Sequence, residues 1–122
     1  MNMNTQSTNK YRELEDRMTT FAINVIRCCK SIPRNRINDP LVSQVVRSSG
    51  SIGANYREAN EAIGKKDFQY RLRIARKEAK ETHHWLALLK EANLSCDVGA
   101  LQQEVDELRN ILSAIIGKVS SG

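Results

Sequence analysis

The sequence predicts an all-α protein that folds as an antiparallel, up-down-up-down four-helix bundle. Apolar residues recur at alternating spacings of three and four over four long stretches, which is the spacing of one helix face. Proline, glycine and short polar segments separate these stretches. Because helices of similar length joined by short loops pack most economically in alternating directions, a bundle is the expected architecture.

A chain of 122 residues is expected to form one domain, covering residues 1–122. The four helices are predicted at about residues 11–32, 40–63, 65–92 and 97–119. No run of about 18 apolar residues occurs, so no membrane span is predicted. The N-terminal residues are polar and lack the apolar core of a signal peptide, so a cytoplasmic location is expected.

The first predicted helix is defined by an uninterrupted apolar stripe and ends before Pro33. Thr8 or Asn9 is expected to cap its start. Its stripe consists of Tyr11, Leu14, Met18, Phe21, Val25, Cys28 and Ile32. Such a stripe is typical of helices that pack in bundles or coiled coils.

The second predicted helix begins at Asp39-Pro40, a capping residue followed by a proline that favours the first helical position. Its inner stripe consists of Leu41, Val45, Ser48, Ile52, Asn55, Ala59 and Ala62. Gly50 and Gly53 lie inside this helix, and each lowers the helix propensity by up to ~1 kcal/mol relative to alanine. We therefore expect a neighbouring helix to approach closely at these glycines.

The third predicted helix starts after Gly64, with Asp67 in its first turn near the positive helix end. Its stripe consists of Phe68, Leu72, Ala75, Ala79 and Leu86. Asn93 is expected to end the helix in a left-handed turn. The last apolar residues cover more than one side of the helix, which predicts burial against a second surface such as another subunit. These residues are Trp85, Leu86, Leu88 and Leu89.

The fourth predicted helix is expected to be capped by Ser95 or Asp97. Its stripe consists of Val98, Leu101, Val105, Leu108, Leu112, Ile115 and Val119. Residues 93–122 contain 2 basic and 4 acidic side chains, whereas residues 1–92 contain 17 and 10. The net charge of +5 is therefore expected to lie on the first three helices, and it permits contact with nucleic acid.

A basic stripe on the third helix is the candidate nucleic-acid-binding surface. It consists of Lys66, Tyr70, Arg73, Lys77 and Lys80, and Lys65, Arg76, Arg34 and Arg36 are expected to extend it. Lysine and arginine contact phosphates, and a tyrosine among them is suited to stack on a base. The alternative interpretation is a solvated helix face with no ligand.

A set of polar residues on the second and third helices is predicted to meet across the antiparallel pair. The set consists of Asn55, Glu58, Arg71, Glu78 and Glu81. Because a buried charge must be paired, we expect a hydrogen-bonded ion network that fixes the register of the two helices. The alternative is a small pocket that binds an anion or a polar ligand.

Metal, cofactor and catalytic sites are not predicted. The three cysteines, Cys28, Cys29 and Cys96, are a poor disulfide framework. Glu81 and His84 have the Glu-x-x-His spacing of bundle di-iron proteins, but those proteins need a second such motif and two further carboxylates. No serine or cysteine is spaced for activation by a histidine base, so the protein is not expected to be an enzyme.

One long segment resembles the 23S rRNA intervening-sequence protein family, also described as four helix bundle protein. The family pattern has the form S-I-x-A-N-x-x-E-A, a short turn, D-F, then I-A-x-x-E-x-x-E. Its positions are occupied here by Ser51, Ile52, Ala54, Asn55, Glu58, Ala59, Asp67, Phe68, Ile74, Ala75, Glu78 and Glu81. The match extends over roughly residues 18–118.

This resemblance implies a bacterial protein that assembles as a homopentamer of four-helix bundles. A similar fold serves diversity-generating retroelements, where a basic pentamer engages a reverse transcriptase and RNA. The resemblance implies no catalytic residues. The leading hypothesis is therefore a non-enzymatic homo-oligomer that binds RNA or a nucleoprotein. The alternatives are a scaffold for a protein partner without nucleic acid and, third, a ligand-binding or catalytic bundle that uses Asn55, Glu58 and Glu78.

Overall fold

The computed structural model describes the backbone of residues 3–121 and the side chains of residues 10–120. Four helices follow one another along the chain: α1 (Met3–Lys30), α2 (Asn38–Asn60), α3 (Lys65–Ala92) and α4 (Gly99–Ser121). No strand occurs among the described residues. The start of α2 contacts the end of α3, and the start of α3 contacts the end of α4. The end of α2 contacts the first half of α1, and the end of α1 contacts the loop before α4, so the helices alternate in direction. The predicted all-α, four-helix architecture is confirmed.

The start of α1 differs from the prediction. The helix begins at Met3 rather than near residue 11, so Thr8 and Asn9 lie inside it rather than at its start, and their side chains fall outside the described residues. The sequence signal was missed because the first turns carry no apolar stripe, although they also contain no proline or glycine to stop a helix. The helix ends at Lys30, not at residue 32, because Pro33 disfavours helical geometry in the residue before it.

The start of α2 was also predicted wrongly. The helix begins at Asn38, and Asn35 rather than Asp39 satisfies its first backbone groups: the Oδ1 atom of Asn35 accepts hydrogen bonds from the N–H groups of Ile37 and Asn38 at 3.0 and 2.7 Å. The helix ends at Asn60 rather than at residue 63. There the N–H of Glu61 bonds to a carbonyl three residues earlier, which tightens the last turn.

The remaining helix ends follow the prediction more closely. Gly64 precedes α3 with φ 85°, a value that favours glycine, and α3 has the predicted bounds. Asn93 ends α3, but with φ −139° it is not in the left-handed conformation that was predicted. The Oδ1 atom of Asp97 accepts a hydrogen bond from the N–H of Gly99 at 3.0 Å, so α4 begins at residue 99 rather than 97.

The core lies where the four apolar stripes meet. Its largest fully buried side chains are Met18, Phe21, Val25, Val45, Ile52, Leu72, Leu86, Leu89, Val98, Val105, Leu108 and Leu112. Two stripe predictions were inaccurate: Tyr11 is 56% exposed, and Tyr56, which no stripe included, is 2% exposed. Tyr56 is buried because α2 packs against both α1 and α3, which widens its buried face beyond a single stripe.

The broad apolar end of α3 has an explanation within the chain. Leu86 and Leu89 are fully buried, and Trp85 packs against the core while remaining half-buried. Because α3 contacts α2 on one side and α4 on the other, it needs apolar residues on more than one side. Of the four residues in the predicted subunit contact, only Leu88 is classed as exposed, at 38%. None of the four described helices combines the length and the apolar character that crossing a bilayer requires.

The two glycines inside α2 occupy different environments. A Cβ atom on Gly53 would lie 3.3 Å from the Cβ atom of Met18 on α1, whereas one on Gly50 would meet nothing within 4 Å. The predicted close approach of a neighbouring helix therefore holds at Gly53 and fails at Gly50. Gly50 is exposed and lowers the helix propensity without a packing reason.

These two environments predict opposite consequences of the same substitution. Gly50→Ala is expected to raise the free energy of unfolding by up to ~1 kcal/mol, because alanine favours the helix and has free space there. Gly53→Ala is expected to give no gain, because its methyl group crowds Met18. Urea denaturation of both variants measures the difference, and equal stabilisation would contradict the close α1–α2 approach.

Candidate nucleic-acid interface

The predicted basic stripe forms the outward face of α3. Lys66, Arg73, Lys77 and Lys80 are all exposed, and Tyr70 among them is 59% exposed. This face points to solvent because the other sides of α3 pack against α2 and α4. At 1.5 Å per residue, the row from Lys66 to Lys80 is about 21 Å long.

Within the part of the chain whose side chains are described, the cations of this face have no acidic partners. Among residues 10–120, no carboxylate lies within 4.0 Å of the charged nitrogens of Lys65, Lys66, Arg73, Lys77 or Lys80. Other basic side chains of the chain do pair with acids, for example Arg17 with Glu104 at 2.8 Å. The positive charge of the α3 face is therefore left for the solvent or a ligand.

The loop arginines do not extend the start of this face. Arg34 and Arg36 lie between α1 and α2, at the end of the bundle where α3 finishes. Lys80 is twelve residues before that end, which corresponds to about 18 Å of helix. Arg34 also pairs with Asp39 through two hydrogen bonds of 2.9 and 3.2 Å, and this pairing lowers the pKa of Asp39. Arg36 is also exposed, but no carboxylate among residues 10–120 lies within 4.0 Å of its charged nitrogens.

A residue that the sequence analysis missed adds to the basic surface beside Lys80. Arg109 on α4 lines a cleft of about 260 Å³ together with Lys80, His83 and Asp106. Its contribution was hidden because the last thirty residues carry a net negative charge, and its position opposite Lys80 depends on the antiparallel alignment of α3 and α4. That alignment is marked by a contact of 3.4 Å between Arg76 Nη1 and Ser113 Oγ.

The predicted polar network does not form as one unit. Glu78 and Glu81 are brought together by Arg47, whose guanidinium lies 3.1 and 2.8 Å from their carboxylates. Glu78 is only 8% exposed, so this cation neutralises a buried charge. The sequence analysis left out Arg47 because it lies more than two turns before Asn55 on α2.

The other three members of the predicted network lie apart from this pair. The amide nitrogen of Asn55 donates to the carbonyl oxygen and the hydroxyl of Ser51, at 2.9 and 3.0 Å, within its own helix. Glu58 is exposed, and the nearest acidic atom to Arg71 is an oxygen of Asp67 at 3.9 Å. No hydrogen bond among the described residues joins these three to Glu78 or Glu81.

Two buried polar contacts fix α2 against α3. The Oγ1 atom of Thr82 lies 2.8 Å from both the hydroxyl of Ser48 and the carbonyl oxygen of Glu78. Thr82 has one hydroxyl proton for one of these atoms, and the Ser48 hydroxyl is able to donate in return. At the end of the bundle, the amides of Asn38 and Asn93 exchange hydrogen bonds of 2.8 and 3.1 Å.

The fold agrees with the comparisons with known proteins. A family model described as 23S rRNA-intervening sequence protein matches residues 11–114. The chain belongs to this family. A crystal structure of a protein of unknown function from the S23 ribosomal protein family of Bacteroides thetaiotaomicron is 32% identical, with a TM-score of 0.79. The match covers 88% of this chain and 98% of that one. No curated protein matches the sequence.

The residues that carry the likeness to the 23S rRNA-intervening sequence protein family are placed mostly at helix contacts. Asn55 binds Ser51 within α2, and Glu78 and Glu81 both bind Arg47 across the α2–α3 pair. Ala54, Glu58 and Asp67 of the pattern are exposed. Glu78 and Glu81 are therefore the members whose contacts hold α2 against α3.

The cysteines and the Glu-x-x-His spacing do not form a metal centre among residues 10–120. No group of three or more histidine, cysteine or acidic side chains there is close enough to hold a metal ion. Glu81 pairs with Arg47, and His84 lies edge-on to Trp85 with ring centroids 5.0 Å apart.

The three thiols lie near the end of the bundle where Asn38 meets Asn93. The sulfur atoms of Cys28 and Cys96 are 3.6 Å apart, and all three cysteines are free. Burial, reinforced by the neighbouring Cys96 thiol, raises the pKa of Cys28 to about 12. Burial also raises the pKa of Cys29 to about 11. These two side chains are therefore neutral thiols at physiological pH.

The Ser48–Thr82 contact predicts non-additive effects of mutation. Thr82→Val keeps the shape of the side chain but leaves the buried Ser48 hydroxyl with a single 3.4 Å contact to a carbonyl, so it is expected to lower the free energy of unfolding by about 1–3 kcal/mol. Adding Ser48→Ala removes the unsatisfied hydroxyl and is expected to restore part of this loss. Urea denaturation of the two single variants and the double variant measures the coupling energy between the two side chains. If the two single changes in the free energy of unfolding add up to the change in the double variant, the predicted coupling is refuted.

The raised thiol pKa values predict a loss of stability in alkaline solution. Above about pH 9, the ordinary value, the unfolded chain releases the thiol protons more readily than the folded chain, so stability falls until the pH reaches the folded values of about 11 and 12. The measurement is the urea midpoint from pH 8 to 11 for the wild type and for a double variant that carries both Cys28→Ala and Cys29→Ala. Lysine and tyrosine also titrate in this range, but they do so in both proteins, so the difference between the two curves reports the thiols. Parallel decreases in both proteins would contradict this assignment.

Proposed function

We propose that this member of the 23S rRNA-intervening sequence protein family is a non-enzymatic homo-oligomer that binds RNA, free or within a nucleoprotein, through the outward face of α3. The observation that carries the proposal is the row of exposed cations without carboxylate partners among the described residues. Side chains that only solubilise a helix are commonly interspersed with opposite charges. A row of one sign over about 21 Å favours a polyanion.

Tyr70 supports RNA over a generic anion. Its ring is 59% exposed in the middle of the basic face, and the guanidinium carbon of Arg71 lies 5.8 Å from the ring centroid. Exposed aromatic rings next to cations serve as stacking platforms for unpaired bases. The family description also links its members to sequences that interrupt 23S rRNA, which supports an RNA partner in the cytoplasm.

Self-association is part of the proposal because apolar side chains remain exposed at one end of the bundle. Ile37 is 66% exposed and Leu94 is 80% exposed, both in loops at the end where α3 finishes, and Leu88 on α3 is 38% exposed. The resemblance to the family implies a pentamer. Because each copy carries +5, a pentamer would multiply the positive charge fivefold and strengthen its attraction for RNA.

A scaffold that binds a protein partner without nucleic acid is the second candidate. The same exposed apolar residues, Ile37, Leu88 and Leu94, favour it, since apolar surface commonly marks a protein contact. The two candidates differ in the role of the α3 face. A scaffold would keep its assembly and its partner when the α3 charges are removed, and it would show no salt-dependent binding of RNA.

Matched triple variants separate these candidates. The first carries Lys66→Gln, Arg73→Gln and Lys77→Gln, and the control carries Arg12→Gln, Arg27→Gln and Lys30→Gln on exposed positions of α1. Both remove three positive charges. Binding of a labelled single-stranded RNA is measured by fluorescence anisotropy over a range of salt concentrations. The α3 variant is expected to reduce the slope of log affinity against log salt by about 2, at about 0.7 per lost phosphate contact.

The control variant is expected to bind RNA with nearly the wild-type slope. Size-exclusion chromatography with light scattering, read at 260 and 280 nm, reports the number of subunits and any co-purified nucleic acid for all three proteins. Both variants are expected to keep the wild-type number of subunits. The RNA proposal is wrong if the wild type binds no RNA at low salt, or if the two variants weaken binding equally.

A further inference from the structure

The cleft between α3 and α4 contains an arginine whose hydrogen-bonding capacity is not used. Among residues 10–120, the buried Nε atom of Arg109 has no hydrogen-bond partner. Buried polar atoms in folded proteins nearly always have a partner, so this guanidinium lacks the acceptor that usually holds such a group in place. Arg109 as a whole is half-buried, and the accessible part of its side chain lines the cleft. The cleft that Arg109 lines has a volume of about 260 Å³.

The charges around this cleft favour an anion. Lys80 lines the cleft opposite Arg109, and Arg76 lies one turn earlier on α3, where it contacts Ser113 rather than a carboxylate. No carboxylate among residues 10–120 lies within 4.0 Å of the charged nitrogens of these three cations. Two cations that share a cleft repel each other, and an anion bound between them would attract both and offset this repulsion.

Asp106, the acidic residue in the cleft, lies next to His83. The Nδ1 atom of His83 lies 3.0 Å from the Oδ1 atom of Asp106, although the two atoms are not aligned as a hydrogen bond. Asp106 opposes an anion, so a bound anion is expected on the side of Lys80 and Arg109. Arg109 offers the planar N–H fork that matches the oxygens of a phosphate, and Lys80 adds a point charge.

We propose that the α3–α4 cleft binds a single phosphate group between Lys80 and Arg109. Its volume is below the range of about 300–1,000 Å³ that encloses a whole drug-sized ligand, which fits a phosphate group better than a complete nucleotide. The phosphate belongs either to the RNA backbone or to a small phosphorylated molecule. The RNA form rests on the function proposed above, whereas the small-molecule form does not.

The test compares Arg109→Gln and Lys80→Gln with Arg27→Gln. Arg27 is an exposed arginine on α1 that lies far from the cleft, so its substitution removes the same charge. Thermal unfolding is followed by circular dichroism in phosphate and in chloride at equal ionic strength. Because phosphate stabilises folded proteins in general, the informative quantity is the difference between variants. The extra stabilisation by phosphate is expected in the wild type and in Arg27→Gln, and it is expected to disappear in the two cleft variants.

The second arm measures RNA binding by the same proteins with the anisotropy assay. If the site takes a backbone phosphate, Arg109→Gln is expected to weaken RNA binding several-fold and to reduce the salt slope by about 0.7, while Arg27→Gln leaves both nearly unchanged. Phosphate binding that needs Arg109, together with unchanged RNA affinity, would assign the cleft to a small phosphorylated molecule. If the wild type binds phosphate but binds no RNA, the proposed RNA-binding function is refuted and the proposed phosphate site in the cleft is supported.

The cleft proposal is overturned if phosphate stabilises the wild type and both cleft variants equally and RNA affinity does not depend on Arg109. Lys80→Gln guards against a structural artefact, because Lys80 is exposed and its loss is not expected to disturb folding. If Arg109→Gln unfolds, the Lys80→Gln variant decides the outcome alone. An unchanged response to phosphate in folded Lys80→Gln then counts against the site.

Discussion

The packing of α3 between α2 and α4 is the constraint on which the other features depend. The α2–α3 contact is the most extensive in the molecule, and small buried side chains such as Ser48, Ala75 and Ala79 line it. Small residues let two helices approach closely, but they bury little apolar surface, so polar contacts have to specify the register. The hydroxyls of Ser48 and Thr82 serve this role in the core.

The same packing decides which surfaces remain for function. Because α3 is covered on two sides, Lys66, Arg73, Lys77 and Lys80 reach solvent on its third side, where they have no carboxylate partners among the described residues. At the border with α4, two cations from different helices are brought to one cleft. At the border with α2, Arg47 pairs with Glu78 and Glu81, so this one cation offsets part of their negative charge away from the positive face.

The proposed binding residues lie outside the sequence pattern that carries the family resemblance. Glu78 and Glu81 are held across a helix pair, and Asn55 is bonded within its own helix. This division explains how the family likeness identifies the fold firmly while the ligand has to be argued from the charges of this particular chain.

The sequence by itself determined the four helices, the bounds of α3 and most of the core, because apolar periodicity is a local property that each helix carries within itself. It also identified the exposed cations of α3, whose spacing places them on one face. Only the tertiary structure decided what lies across from each residue. The partners of Glu78, the cleft at Arg109 and the burial of Tyr56 depend on the register and the number of neighbouring helices. The register and the number of neighbours result from packing between segments that are distant in the sequence, and the spacing of residues within one helix does not reveal them.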